Sequence, residues 1–233
     1  MSGILIVDDD RTVGGVVLSY LKRADLDGRH LLDGRTLHET IEATDPDLVV
    51  LDVMMPGADG VQLCTEIRER RPELPIILLT ARTEEQDRIT GLTAGADDYV
   101  SKPFSPRELV LRIQSVLRRS AAARSDRGPR PDLVDGDLIV SPESHEVSLA
   151  GRSVNLTMRE FDLLAYLLAH PERAFTRDEL LEQVWGWNYG DKSTVTVHVR
   201  RLREKIEDDP ANPTRLMTVW GVGYRWDPSR TGE

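Results

Sequence analysis

The stretch Leu48-Val49-Val50-Leu51-Asp52-Val53-Met54-Met55-Pro56-Gly57 decides the fold. Four apolar residues run without interruption into one carboxylate, and a Pro-Gly breaker follows at once. A short apolar run closed by turn residues reads as a strand buried on both faces. Asp52 then stands at the strand's carboxyl end, the edge where open parallel sheets place their ligands.

Upstream, Gly3-Ile4-Leu5-Ile6-Val7 repeats the pattern and ends in Asp8-Asp9-Asp10. Val16, Val17, Leu18, Tyr20 and Leu21 have helical spacing, although Gly14-Gly15 costs a helix about 1 kcal/mol per glycine relative to Ala. A weak strand near Arg29 to Leu32 and a polar helix from about Thr36 to Ala43 precede the Asp52 run. Downstream, Leu63 and Ile67 mark a helix from about Val61. Pro75 to Thr80 reads as a strand, Glu84 to Ala94 as a helix, Asp98-Tyr99-Val100 as a short strand and Pro106 to Arg119 as a helix. Five alternations predict an α/β domain, a doubly wound five-stranded parallel sheet with helices on both faces.

Each informative polar residue closes one of these strands: Asp8-Asp9, Asp52, Thr80, and Lys102-Pro103 just past the fifth. In such a sheet these ends open on one edge and converge in one crevice. Carboxylates there repel one another by about 4 kcal/mol per pair at 4 Å and an effective dielectric near 20. A hard divalent cation relieves this, and Mg²⁺ is the default, held by one or two carboxylates and a phosphate. A cation, a lysine and a hydroxyl around a carboxylate nucleophile are the parts of phosphoryl transfer.

Residues 1–119 resemble the receiver domain of two-component response regulators, a flavodoxin-like fold. The resemblance rests on Ile4-Leu5-Ile6-Val7-Asp8-Asp9-Asp10, Leu51-Asp52-Val53-Met54-Met55-Pro56-Gly57, Leu79-Thr80-Ala81-Arg82 and Gly95-Ala96-Asp97-Asp98-Tyr99-Val100-Ser101-Lys102-Pro103-Phe104. It implies that Asp52 accepts a phosphoryl group from a sensor histidine kinase. Asp9, Asp52 and the Met54 carbonyl would hold Mg²⁺, with Asp8 acting through water. Lys102 would pair with the acyl phosphate, Thr80 would hydrogen-bond it, Tyr99 would swing inward, and Pro103 would follow a cis bond. A phosphatase of the haloacid dehalogenase type also uses a strand-end aspartate, but it needs a second Asp two residues on, where this chain has Met54.

Arg88, Asp97, Asp98, Glu108, Arg112 and Arg119 form a second constellation. Glu108 and Arg112 at i,i+4 can pair within one helix. The resemblance implies instead symmetric salt bridges between two receivers, a two-fold homodimer contact.

The 233 residues are 39% hydrophobic and 30% charged, with a net charge of -10. Residues 1–119 carry 15 basic against 21 acidic residues and residues 120–233 carry 15 against 19, so DNA binding must rest on a local cluster. With no long apolar run and no basic-apolar leader, the chain is expected to be cytoplasmic and not membrane-bound. The single cysteine, Cys64, excludes an intramolecular disulfide and reads as an inert buried residue.

Ser120 to Pro131 is small, polar and Pro/Gly-containing, and reads as a tether, making 120–132 a linker. Asp137 to Val140 and Glu146 to Leu149 alternate as strands. Thr157-Met158-Arg159-Glu160 and Thr176-Arg177-Asp178-Glu179 are capping boxes that open two helices. A third runs from Ser193 to about Glu207. At 100° per residue, Val195, Val199, Leu202 and Ile206 face the core, with Val197, Arg200, Arg201 and Glu204 opposite and Thr194, Thr196 and Arg203 on the flanks. Met217 to Trp226 forms two short strands about a Gly turn.

Residues 133–228 resemble the winged helix-turn-helix domain of the OmpR/PhoB subfamily, a smaller α+β domain. The run Thr194-Val195-Thr196-Val197-His198-Val199-Arg200-Arg201-Leu202-Arg203 and the hairpin Gly221-Val222-Gly223-Tyr224 carry the likeness. It implies a recognition helix that meets promoter DNA through Thr194, Thr196, Arg200, Arg201 and Arg203. Trp220 stands on the wing where some relatives present Arg to the minor groove. Trp185 and Arg177 are expected near phosphates, and the loop from Trp187 to Lys192 either contacts RNA polymerase or packs. The expectation is a transcriptional regulator whose Asp52 phosphorylation promotes receiver dimerisation and promoter binding. The alternative is a regulator that binds DNA regardless of phosphate, with the receiver used only for dimerisation.

Overall fold

The computed structural model describes residues 3–80, 91–125, 131–187 and 191–229, with the side chains of 118–125 outside that description. The chain forms two compact units, Met1–Arg119 and Ser120–Glu233.

The first unit alternates strands and helices: β1 (Gly3–Val7), α1 (Arg11–Arg23), β2 (Asp27–Leu31), α2 (Leu37–Thr44) and β3 (Leu48–Asp52). A two-residue ladder, β4 (Met54–Met55) with β5 (Ala58–Asp59), precedes α3 (Gly60–Arg70), β6 (Ile76–Thr80), β7 (Asp98–Ser101) and α4 (Pro106–Ser125). The five long strands are parallel, in the order β2-β1-β3-β6-β7. Ile4, Ile6, Leu48, Val50, Ile77 and Leu79 share one buried cluster with Val17 and Leu21 of α1 and Leu109, Ile113 and Val116 of α4. Leu5, Val7, Val49, Leu51, Ile76 and Leu78, which point the other way, are just as buried. The strand runs lack alternation because helices cover both faces. Of the helix expected over 84–94, residues 84–90 lie outside the described residues and 91–93 are helical.

The order β2-β1-β3 reverses direction between β1 and β3, so the crevice outside their carboxyl ends is the natural binding site. Asp8 follows β1 and Asp52 ends β3. Gly60 lets the chain return to this edge: its amide donates to the Val53 carbonyl at 3.1 Å, and a Cβ there would stand 2.1 Å from the Asp52 carbonyl oxygen.

The expected tether is partly helical, since α4 continues to Ser125. Ala121-Ala122-Ala123 are the best helix formers, and no Gly or Pro intervenes before Gly128. Residues 126–130 lie outside the described residues.

The second unit opens with an antiparallel sheet in the order β11-β10-β9-β8: β8 (Leu133–Asp135), β9 (Leu138–Ser141), β10 (Glu146–Leu149) and β11 (Arg152–Ser153). Three helical segments follow. α5 (Met158–Leu168) starts at a complete capping box between Thr157 and Glu160. After β12 (Ala174–Thr176), a second box between Thr176 and Glu179 opens α6 (Arg177–Leu180), which passes into a π-helical turn, Leu181–Trp185. α7 (Ser193–Ile206) is the third, and β13 (Leu216–Val219) and β14 (Gly223–Trp226) form a hairpin beside β12. Val195, Val199, Leu202 and Ile206 of α7 join Phe175, Trp185 and Trp226 in the core, as the helical angles predict. Sequence periodicity missed β8, β11 and β12, each of two or three residues and too short to show alternation.

Candidate functional site

The crevice at the β1/β3 edge gathers the residues named from sequence. Ligand-capable oxygens of Asp8, Asp9 and Asp52 lie within 4.8 Å of one another. Asp8 and Asp52 are buried and Asp9 is exposed, so the cluster opens to solvent on one side. Lys102, just past β7, donates from Nζ to Asp8 Oδ2 and to Asp52 Oδ2, both at 2.8 Å. Asp52 Oδ1 accepts from the Met54 amide at 3.1 Å, and Asp8 Oδ1 from the Asp10 amide at 2.9 Å. Thr80 is buried at the end of β6, its carbonyl accepting from the Lys102 amide at 2.6 Å. Tyr99 is half-buried on β7, and the Lys102–Pro103 bond is cis.

Burial pushes the Asp52 carboxyl above the usual carboxylate range, against the pull of Lys102 and the Met54 amide. Burial draws Lys102 down, but its hydrogen bonds to Asp52 and Asp8 outweigh this and hold the ammonium above its usual range. Among the described residues, one lysine faces these three carboxylates. The remaining formal charge of -2 and the all-oxygen donor set suit a hard divalent cation such as Mg²⁺.

The expected interface residues separate into two kinds. Asp97 is buried: its Oδ2 accepts from Arg68 Nη2 and from the Ile76 amide, both at 2.9 Å, tying α3 to the start of β6. This corrects its placement on a receiver–receiver surface, because a carboxylate so desolvated needs internal partners. Arg112 donates to Asp98 at 3.1 Å and to Glu108 at 2.8 Å, so these three pair within the chain. Arg88 and the Arg119 side chain lie outside the described residues.

In the second unit α7 exposes Thr196 and Arg200, the latter donating to Glu204 at 3.0 Å. Three expected contacts are corrected, Arg201, Thr194 and Trp185. Arg201 is only 7% exposed and pairs with Glu160 Oε1 at 2.7 Å, and Thr194 is buried. Val197, assigned to the outer face, is buried too. The helical wheel assumed one covered face, whereas α7 carries α5 on one side and the β13–β14 hairpin near another. Arg203 belongs to that hairpin, donating to the Leu216 carbonyl at 2.9 and 2.7 Å and to Thr218 Oγ1 at 2.8 Å. Trp185 is fully buried, edge-on to His198 at 5.0 Å, which removes it from any phosphate. Trp187 packs into the same core, and residues 188–190 lie outside the described residues. Arg177 donates to Thr196 Oγ1 at 3.2 Å beside the exposed helix face. Trp220, at the turn of the hairpin, is 91% exposed.

Residues 4–114 match the response regulator receiver domain family, and residues 151–226 match the family described as transcriptional regulatory protein, C terminal. Response regulator DrrB of Thermotoga maritima, an OmpR/PhoB homolog, is 35% identical over 97% of this chain and 99% of its own, with a TM-score of 0.52. The chain belongs to the OmpR/PhoB family of response regulators. A cysteine mutant of RitR is 25% identical over 98% of this chain and 100% of its own, with a TM-score of 0.77. The receiver domain of the Francisella response regulator 1452 is 31% identical over 52% of this chain and 99% of its own, with a TM-score of 0.50.

This response regulator is therefore a two-component transcription factor, a regulatory protein with a histidine kinase as partner and DNA as target. Its first unit is the receiver and its second carries the winged helix. No helix among the described residues is long and apolar enough to cross a membrane.

Proposed function

We propose that Asp52 accepts a phosphoryl group from phosphohistidine of a sensor kinase, and that this change promotes receiver pairing and promoter binding. The observation that carries the reading is the Asp52 carboxylate, buried at a strand end, 2.8 Å from Lys102 and beside Asp8 and Asp9. The Asp52 oxygen attacks phosphorus, the P–N bond to the imidazole breaks, and the ring nitrogen keeps the bonding pair. Asp9, Asp52 and the Met54 carbonyl would hold Mg²⁺, with Asp8 acting through water; the ion supplies charge neutralisation. Lys102 exchanges its bond to Asp52 for one to the new phosphoryl oxygens, and the Thr80 hydroxyl donates to them. Tyr99 moves with Thr80 and alters the β7–α4 face. That face carries the exposed Leu111 beside Glu108 and Arg112, and we assign receiver pairing to it.

On DNA, Thr196 and Arg200 of α7 face the major groove, with Trp220 on the adjoining wing. Pairing two receivers raises the effective concentration of the second winged helix at a repeated site. Contact with RNA polymerase is assigned to the loop after Trp187. Residues 1–119 act as the receiver, 133–228 as the DNA-binding domain, and the segment between them joins the two.

Incubation with a small acyl phosphate and Mg²⁺ should add one phosphoryl mass to the wild type and none to Asp52→Asn. Promoter affinity should rise only in the modified protein. No mass gain in the wild type sinks the proposal, and a mass gain without tighter DNA binding favours a regulator that binds DNA regardless of phosphate.

A further inference from the structure

Gly14 lies in the first turns of α1, where glycine weakens a helix. The ring of His30, at the end of β2, occupies the space a side chain would need. A Cβ at position 14 would lie 2.1 Å from His30 Cε1, 2.2 Å from Nδ1 and 2.5 Å from Nε2. The adjacent Gly15 has no such neighbour within 4 Å. The half-buried His30 ring is seated in a notch, and its Nε2 is 2.7 Å from the Asp8 carbonyl oxygen. A carbonyl oxygen only accepts, so Nε2 carries the hydrogen and donates it.

The Asp8 backbone is thus held from β2 at both of its polar atoms. Its amide donates to the Leu31 carbonyl at 3.1 Å, and its carbonyl accepts from His30. The carbonyl belongs to the peptide that joins Asp8 to Asp9, so its direction sets where the Asp9 side chain leaves the chain. Alanine at 14 with a small residue at 30 would satisfy both helix and packing. Neither would supply a donor to the Asp8 carbonyl.

We propose that His30, seated over Gly14, is a positioning residue for the cation site: it fixes the Asp8–Asp9 peptide so that both carboxylates converge with Asp52. The inference rests on the reading of these aspartates as cation ligands. Groups that orient ligands from behind commonly change metal affinity by 10- to 100-fold when removed.

The test is Mg²⁺ titration of the full chain by calorimetry, with melting followed in parallel. His30→Leu, which keeps bulk and loses the donor, should bind Mg²⁺ about tenfold more weakly. His30→Gln, whose amide nitrogen reaches as far as Nε2, should recover affinity to within about threefold, on the same ligand-orienting logic. Gly14→Ala should expel the ring and reproduce the loss, although alanine is the better helix former, whereas Gly15→Ala should leave affinity unchanged. Wild-type affinity in a cooperatively melting His30→Leu overturns the proposal. If that variant does not fold, wild-type affinity in Gly14→Ala overturns it instead. Absence of Mg²⁺ binding by the wild type refutes the cation reading itself, so the two failures are distinct.

Discussion

Arg201→Met separates a structural arginine from a DNA-reading one. Arg201 meets Glu160 at 2.7 Å, with side-chain exposures of 8% and 0%. Glu160 also accepts from Lys205 at 2.6 Å and from the Thr157 amide at 2.9 Å. Removing one partner of a buried ion pair costs about 3–5 kcal/mol, and the two surviving donors place this case near 3 kcal/mol. At about 4 °C per kcal/mol for a domain of this size, the second unit should melt roughly 12 °C lower. All four tryptophans lie in that unit, so their fluorescence reports its melting directly.

The effect also has a pH signature. Burial pushes the Glu160 carboxyl up, but Arg201, Lys205 and the Thr157 amide outweigh it and hold the group below its usual range. A depressed carboxyl contributes stability above its unfolded value and loses it as pH falls through the folded one. In Arg201→Met the folded value rises toward the unfolded one, so the acid-side loss of stability should be smaller and complete at a higher pH. Measured below its melting point, the variant should keep the wild-type salt slope for DNA binding. An unchanged melting temperature with a slope reduced by about 1 would mean that Arg201 meets phosphate, and would refute the structural reading.

Asp52 predicts the opposite pH behaviour. Burial raises its folded value, so its favourable contribution is present at low pH and lost as pH rises through that value. Without Mg²⁺, Asp52→Asn should melt higher than the wild type at pH 7 by calorimetry, an advantage that fades in acid; a lower melting point at pH 7 would sink the account. Mg²⁺ at 100 times its dissociation constant should stabilise the wild type by about 2.7 kcal/mol and the Asn variant by far less. Trp220→Ala at the exposed wing should leave stability within about 0.5 kcal/mol. The same variant should weaken promoter binding about tenfold, roughly 1.4 kcal/mol, with the salt slope unchanged because no charge is lost. An unaltered DNA affinity removes the wing tip from the interface.

The receiver was legible because its signals are local and redundant. Wholly apolar runs ended in Asp8, Asp52 and Thr80, and parallel topology carried those ends to one edge. The winged helix was legible from two capping boxes and the apolar stripe of α7. Polar residues of α7 were misplaced because an angular plot knows only one buried side. Arg201 and Arg203 lie at angles that solvent would claim on an isolated helix. Glu160 and the Leu216 carbonyl, 41 and 13 residues away in sequence, claim them instead. His30 gave no signal at all beyond an unexplained Gly14.

The sequence by itself determined the order of elements, the strand ends and the identity of the acid cluster, because hydrophobic period and turn residues act over a few positions. Tertiary structure alone decided which charged groups are spent inside the molecule. Arg201 binds Glu160, Asp97 binds Arg68, and the Asp8 carbonyl receives His30. Each of these pairs spans at least 22 positions. Desolvation makes such partners obligatory, yet their distance along the chain leaves no local pattern from which to read them.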